Sequence, residues 1–346
     1  MGALRGLGVG IAGVALTLAF VGGILSALGA SPVQAYQLIV AGALGTAERV
    51  AYVMTALAPI LLCSAGLLLT FAAGLWNIGM EGQVVFGAVF ATGTLRALGH
   101  DLPPGIALGV AVVAAILGGA LWGVLAGALR TYGNVSEIFG GLGLNFIAGS
   151  LTVYLVLGPW ARPGIASTSG TLPFDSTLWL PAIRLPALVI PAEVIAGLGA
   201  VALVFVALRG TRAGLELKAI GRSARAAYVQ GLPVTRRLLW AFAGCGALGG
   251  LAGFVLVTGA YSRHQLFPLI SGGYGFLAIL VVLLASQNAV AGVLISAFFA
   301  VVSTGSLQLP LQMQLDSSMG GIIQGTLVLT VLLLRGLALR TASSRA

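Results

Sequence analysis

A single long polar run, residues 209–237 (RGTRAGLELKAIGRSARAAYVQGLPVTRR), interrupts a sequence that is otherwise almost continuous hydrocarbon. The run constrains everything around it. Apolar stretches of about 20 residues are long enough to cross a bilayer, and a backbone in lipid must satisfy its own hydrogen bonds, which restricts spans to helices or closed barrels. The polar run must then lie in water against the membrane surface. It carries seven of the 17 Lys and Arg residues, including the only lysine, Lys218. Basic loops remain cytoplasmic, so the run marks the inner side. With 59% hydrophobic and 7% charged residues, the chain reads as an all-α integral membrane protein and not as a soluble domain. Its net charge of +9 does not point to nucleic acid, because so much of the positive charge sits in one loop between spans. Cys63 and Cys245 lie far apart inside apolar segments; they read as small buried hydrophobes, not as a disulfide or metal pair.

Hydropathy predicts about ten transmembrane helices, at residues 7–30, 51–75, 82–98, 105–129, 136–158, 187–208, 238–259, 273–285, 289–303 and 319–334. The first is long enough to be a retained span and not a cleaved leader. Residues 35–45 read as a short interfacial helix, and the eighth and ninth spans as short enough to be broken or tilted. With both termini cytoplasmic, Arg5, Arg130, the basic loop, Arg335, Arg340 and Arg345 fall inside, and Arg49, Arg96, Arg162, Arg184 and Arg263 outside. The reverse orientation inverts the positive-inside bias. The organisation is one transmembrane domain, 1–346, with a cytoplasmic loop at 209–237 and an outer loop at 159–186. The outer loop holds five prolines, and its Trp160 and Trp179 suit the headgroup level. Gly119, Gly123 and Gly127 recur every four residues, as do Gly246 with Gly250 and Gly249 with Gly253. Small residues at that spacing let helix backbones approach closely where lipid supplies no hydrophobic drive.

Within the polar run a helix is expected from about Gly214 to Gln230. Leu217, Ile220, Ala224 and Ala227 share one face, and Lys218, Arg222 and Arg225 form a basic stripe on another. Gly231 and Pro233 then stop it. Such a helix can lie on the inner leaflet or dock a cytoplasmic partner.

No phosphate-binding loop is present, since the only lysine follows Leu217 and not a glycine. HExxH and Cys/His metal spacings are also missing, and His100 and His264 fall in outer loops where they read as solvated. A GxGxxG at residues 8–13 lies inside the first span with no strand before it, and reads as a packing cluster.

Three shorter stretches carry groups that hydropathy leaves unexplained. In GLWNIGMEGQ (74–83), Asn77 and Glu81 are four apart and would share a helix face. An acid at membrane depth costs about 2.5–3.5 kcal/mol and is a functional candidate by default; equally, Glu81 can sit at the third helix's N-terminus, where the macrodipole favours an anion. In NVSEIFGGLGLNFIAGS (134–150), Asn134 and Glu137 have capping-box spacing. Asn145 follows about 12 Å further along, where its amide meets another helix or a watered path. Phe146 beside it can stack on a planar ligand or pack in the core. In SGGYGFLA (271–278), glycines permit irregular backbone at membrane depth, which survives only in a protein-lined or watered place. Tyr274 and Phe276 add aromatic surface there; a plain outer turn would read the same.

Taken in order, these stretches resemble the permease subunits of bacterial ABC importers for nucleosides and simple sugars, a broad family that includes ribose and branched-chain amino-acid permeases. NIGMEGQ (77–83) resembles the NIGxEGQ signature of the nucleoside-type branch, and NVSEIFGGLGLNFIA resembles its VNEVIxTxMLNYIA segment. AIGRSARAAYVQG (219–231), with residues 244–253 after it, is similar to the family's cytoplasmic loop and following span. Residues 274–284 and 320–329 resemble its last third. Two departures stand out: Phe146 replaces a tyrosine, and SGGYGFLA lacks an acid found near Gly-Phe in many relatives.

The resemblance implies a multi-pass permease of the bacterial plasma (inner) membrane that is not an enzyme and has no cofactor of its own, ATP being bound by a separate ABC ATPase subunit. It also implies a second permease subunit, homologous or identical, and an extracytoplasmic substrate-binding protein facing residues 159–186. Asn77, Glu81, Gln83 and Asn145 would lie near the substrate pathway, with Phe146, Tyr274 and Phe276 as aromatic contacts. Gly221, Arg222, Ala226, Ala227 and Gly231 would meet the ATPase. The alternative within the class is a permease for branched-chain amino acids or another small solute. The alternative outside it is an ion-coupled secondary transporter, for which Glu81 and Glu193 are the candidate coupling acids.

Overall fold

The structure, a computed structural model, describes residues 2–164, 170–186, 188–286, 288–316 and 318–343. Residues 165–169 of the outer loop, Arg345, and the side chains of Arg5, Arg335 and Arg340 lie outside the described residues. In chain order the helices are α1 (Gly2–Ala27), α2 (Pro32–Leu44), α3 (Ala47–Ala72), α4 (Met80–Leu98), α5 (Pro104–Thr131), α6 (Glu137–Leu157) and α7 (Ala192–Gly210). Then come α8 (Arg212–Arg222), α9 (Ala224–Val229), α10 (Val234–Thr258), α11 (Tyr274–Ala285), α12 (Ala289–Gly305), α13 (Gln308–Met313) and α14 (Met319–Ser343). Every segment read as a span contains a helix. Among the described residues six helices are long and apolar enough to cross a bilayer, or seven if the bent pair formed by α1 and α2 is one span. The architecture is that of an all-α, multi-pass membrane protein.

The chain divides into two compact units, Met1–Ala56 with Ala297–Ala346, and Leu57–Ser296. In the first, α1 and α2 turn through 113°. Ser31 caps α2 by accepting from the Gln34 amide, Pro32 opens the helix, and the Tyr36 hydroxyl donates to the Leu18 carbonyl at 2.6 Å. Val21, Leu25, Ile39, Leu309 and Ile323 form its buried core. Gly13 of the GxGxxG packs against Val331 of α14, the packing role expected for it.

The second unit is organised around α4, α5 and α10. A Cβ added at Gly119 would overlap the Gly246 carbonyl, one at Gly250 the Ala115 carbonyl, and one at Gly253 the Val84 carbonyl. The glycine spacing therefore does what the sequence suggests: three backbones meet with no side chain between them, and dispersion supplies the adhesion. Beside this seam Phe86 stacks on Trp122, centroids 3.7 Å apart and planes 15° from parallel.

Local chemistry departs from expectation in four places. The helix expected over 214–230 is two helices, because Ser223 is extended (φ −161°, ψ 103°) and its hydroxyl accepts from the Ala226 amide as an N-cap. The break leaves Ala224 exposed, while Leu217, Ile220 and Ala227 stay buried. The cap of α6 is Ser136, not Asn134. Asn134 takes a positive φ of 50° at the end of α5, and Glu137 pairs with Arg130 at 3.1 Å instead of closing a capping box. The sixth span starts later than expected, since Ala182–Leu185 and Leu188–Pro191 pair as an antiparallel hairpin, β1 and β2. Short apolar runs bounded by prolines favour that turn over a helix start. His264 is not solvated: it is 9% exposed and stacks flat on Trp179 at 3.7 Å, inside a loop held to the outer segment by Thr171 and Phe174 backbone amides donating to the Leu266 and His264 carbonyls.

Candidate functional site

The NIGMEGQ stretch is a clasp. After α3 the chain turns at Gly74, whose φ of +76° needs glycine, crosses the loop and re-enters a helix at Met80. Asn77 and Gln83 lie on either side of that re-entry, and both are buried. Each amide donates to the other, at 3.1 and 3.2 Å, and Asn77 also donates to the Cys245 sulfur at 3.1 Å. Two primary amides facing each other satisfy in the interior what water would otherwise supply.

Asn145 holds the same loop from α6. Its oxygen accepts from the Gly82 amide at 2.8 Å and its nitrogen donates to the Ile78 carbonyl at 3.0 Å. One turn earlier Gly141 lies so close that a Cβ would sit 2.6 Å from the Gly79 nitrogen. The GGLGLN run thus puts a bare backbone and an amide four residues apart on one face, and both grip the NIGMEG loop.

Glu81, in the first turn of α4, reaches α11. Its carboxylate accepts from the Phe276 amide at 3.1 Å, and Gly275 packs on the Met80–Glu81 backbone. The N-cap of α11, Gly273, is left-handed and offers no side-chain cap, so Glu81 supplies the acceptor that this helix lacks. The carboxylate therefore sits at two helix N-termini at once, where both macrodipoles favour an anion. Glu193, a second buried acid, begins α7 and accepts from the Ala260 amide at 3.1 Å.

These elements line an open cavity of about 660 Å³ whose walls include Glu81, Asn145, Phe146, Phe276 and Thr152. Of the residues expected near a pathway it brings together Glu81, Asn145, Phe146 and Phe276. Asn77 and Gln83 lie behind the wall, in the clasp, and Tyr274 is not among the lining residues. Sequence reasoning missed Ser150, Thr152, Ser271 and Leu269, which also line it. Thr152 lies two turns beyond Asn145 on α6, a signal that helical periodicity from Asn145 could have supplied; Ser150, five residues on, lies well round the helix from Asn145 and carries no such signal. Glu81 is the only charged side chain lining the cavity among the described residues.

The second candidate surface is the basic loop. Glu216 is pinned between Arg212, at 3.0 Å, and Arg237 at the base of α10; Arg237 first, then Arg212, holds its carboxyl below the ordinary carboxylate range. Gly221 faces its own chain: a Cβ there would overlap the Ala72 carbonyl, and Gly74 in turn lies against the Gly221 backbone. Ala227 is buried, while Gly221, Arg222, Ala226, Tyr228 and Val229 are exposed. Gly231, at φ +80°, ends α9 with the Leu232 amide donating to the Ala227 carbonyl and its own to Tyr228, a Schellman closure.

Residues 49–332 match the family described as "Branched-chain amino acid transport system / permease component". The chain is 31% identical over 319 residues to a glucose ABC transporter permease protein of Haloferax volcanii, covering 89% of this chain and 83% of the relative. It is 28% identical over 324 residues to a guanosine ABC transporter permease protein of Bacillus subtilis, covering 92% and 91%. A nucleoside ABC transporter permease protein of Lactococcus lactis is 25% identical over 292 residues, with 82% and 79% covered.

Proposed function

The chain belongs to the branched-chain amino acid transport system / permease component family, and from that premise we propose that it is the permease subunit of an ABC importer whose solute is a nucleoside. The cavity carries the reading. Phe146 and Phe276 supply aromatic faces to a base, and Thr152, Ser150 and Ser271 supply hydroxyls to a sugar. A simple sugar is the second reading, favoured by the 31% identity to the glucose permease. Both acids that an ion-coupled carrier would use, Glu81 and Glu193, accept from backbone amides, which speaks against that alternative.

In this reading the ten helical segments span a bacterial inner membrane with both termini cytoplasmic, and a second permease subunit, homologous or identical, completes the pathway. The chain binds no cofactor; ATP belongs to a partner ATPase. That partner docks on the exposed Arg222, Ala226, Tyr228 and Val229 surface of α8 and α9. Gly221 and Gly231, both exposed, belong to the same contact surface, and the buried Ala227 supports it from beneath.

The test is purification from native membranes in mild detergent, reconstitution of whatever co-purifies, and uptake of labelled guanosine and glucose. ATP-dependent uptake with a phosphate-loop ATPase in defined ratio is the expected result, and the favoured solute chooses between the two readings. Gradient-driven uptake by the chain alone would overturn both.

A further inference from the structure

We propose that Glu81 makes the cavity reject anions, so that it admits neutral polyhydroxylated solutes and refuses their phosphorylated or carboxylate-bearing counterparts. The inference rests on the reading of this cavity as the solute site. Where helix N-termini converge at membrane depth, they form a place for an anionic group of a ligand. Here α4 and α11 both begin at the cavity wall, and Gly275 packs on the Met80–Glu81 backbone. The place for an anion is already taken by the protein's own carboxylate, through the 3.1 Å bond from the Phe276 amide. No lysine, arginine or histidine lines the cavity among the described residues to offset a second negative charge. A phosphate or carboxylate entering would thus meet the Glu81 carboxylate with no counterion beside it, and like-charge juxtaposition is an effective way to refuse a partner. Neutral hydroxyls carry no charge to repel and can bond to the Glu81 carboxylate and to the hydroxyls on the wall, Ser150, Ser271 and Thr152.

The experiment measures equilibrium binding to the purified full chain in lipid nanodiscs by scintillation proximity, which bypasses selection by any extracytoplasmic binding protein. Labelled guanosine and glucose are the neutral probes; guanosine 5′-monophosphate and glucose 6-phosphate are the competitors. Wild type should bind the preferred neutral probe, with its phosphorylated form at least about tenfold weaker. Glu81→Gln should narrow that gap to about threefold or less by gaining affinity for the phosphorylated form. Ser150→Lys, which adds a cation at an exposed wall position and leaves the Glu81 bond intact, should shift preference the same way and keeps the test alive should Glu81→Gln fail to fold. Equal competition by phosphorylated and neutral forms in wild type, or an unchanged gap in a folded variant, would overturn the proposal alone. Failure of both neutral probes to bind would overturn the underlying reading of the cavity, and the proposal with it.

Discussion

Asn145 shows how a single side chain decides a site. Its amide pairs with a backbone donor and a backbone acceptor at once, and Asn145→Leu would leave the Gly82 amide and the Ile78 carbonyl without partners. The expected loss is about 1–3 kcal/mol, read as a lower unfolding midpoint in detergent, with Asn145→Gln intermediate. The sequence made Asn145 visible as an amide out of place in an apolar helix, but not its partners, because they are main-chain atoms of a loop more than 60 residues away. Asn77 and Gln83 were legible as members of a motif, yet their mutual bonding depends on the loop folding back on itself, which no periodicity encodes. Glu216 titrates with a definite sign. Its folded pKa is lowered by Arg237 and Arg212, so its ion pairs stabilise the fold above the unfolded carboxylate value of about 4.3 and lose that effect as pH falls through the lower folded value. Glu216→Gln should therefore melt lower than wild type at neutral pH, with the difference closing only in acid below about pH 4.

Helices were the most legible elements, since runs of apolar residues in a bilayer have almost no alternative. Their ends were less so. Ser223 splits the basic helix through a local hydroxyl-to-amide bond that competes with the helical one, and prolines turn the start of α7 into a hairpin. The glycine seam between α4, α5 and α10 was readable from spacing alone, and its consequence is sharp. Gly250→Leu should prevent accumulation of folded protein, because the residue meets the Ala115 carbonyl and Gly119. Gly143→Ala, with open space around it, should be tolerated and gain up to about 1 kcal/mol of helix propensity. Size-exclusion yield and unfolding midpoints for the two variants check the pair.

For the whole molecule the proposed orientation places α9 inside and the β1–β2 hairpin outside. In intact cells an impermeant thiol reagent should label Ile183→Cys and spare Val229→Cys, and the pattern should invert in inside-out vesicles. The native Cys63 and Cys245 are buried and should contribute no background. Labelling of Val229→Cys from outside would reverse the topology. One contact then acquires a mechanical meaning. Gly221 on the basic loop and Gly74 beyond α3 touch through bare main chain, and three residues after Gly74 comes Asn77, the start of the clasp that carries Glu81 into the cavity wall. On the proposed reading, a push delivered to α8 from the cytoplasm would reach the cavity through this main-chain contact. Any residue that inserts a flexible spacer at Gly221 should let the ATPase turn over while the cavity stands still.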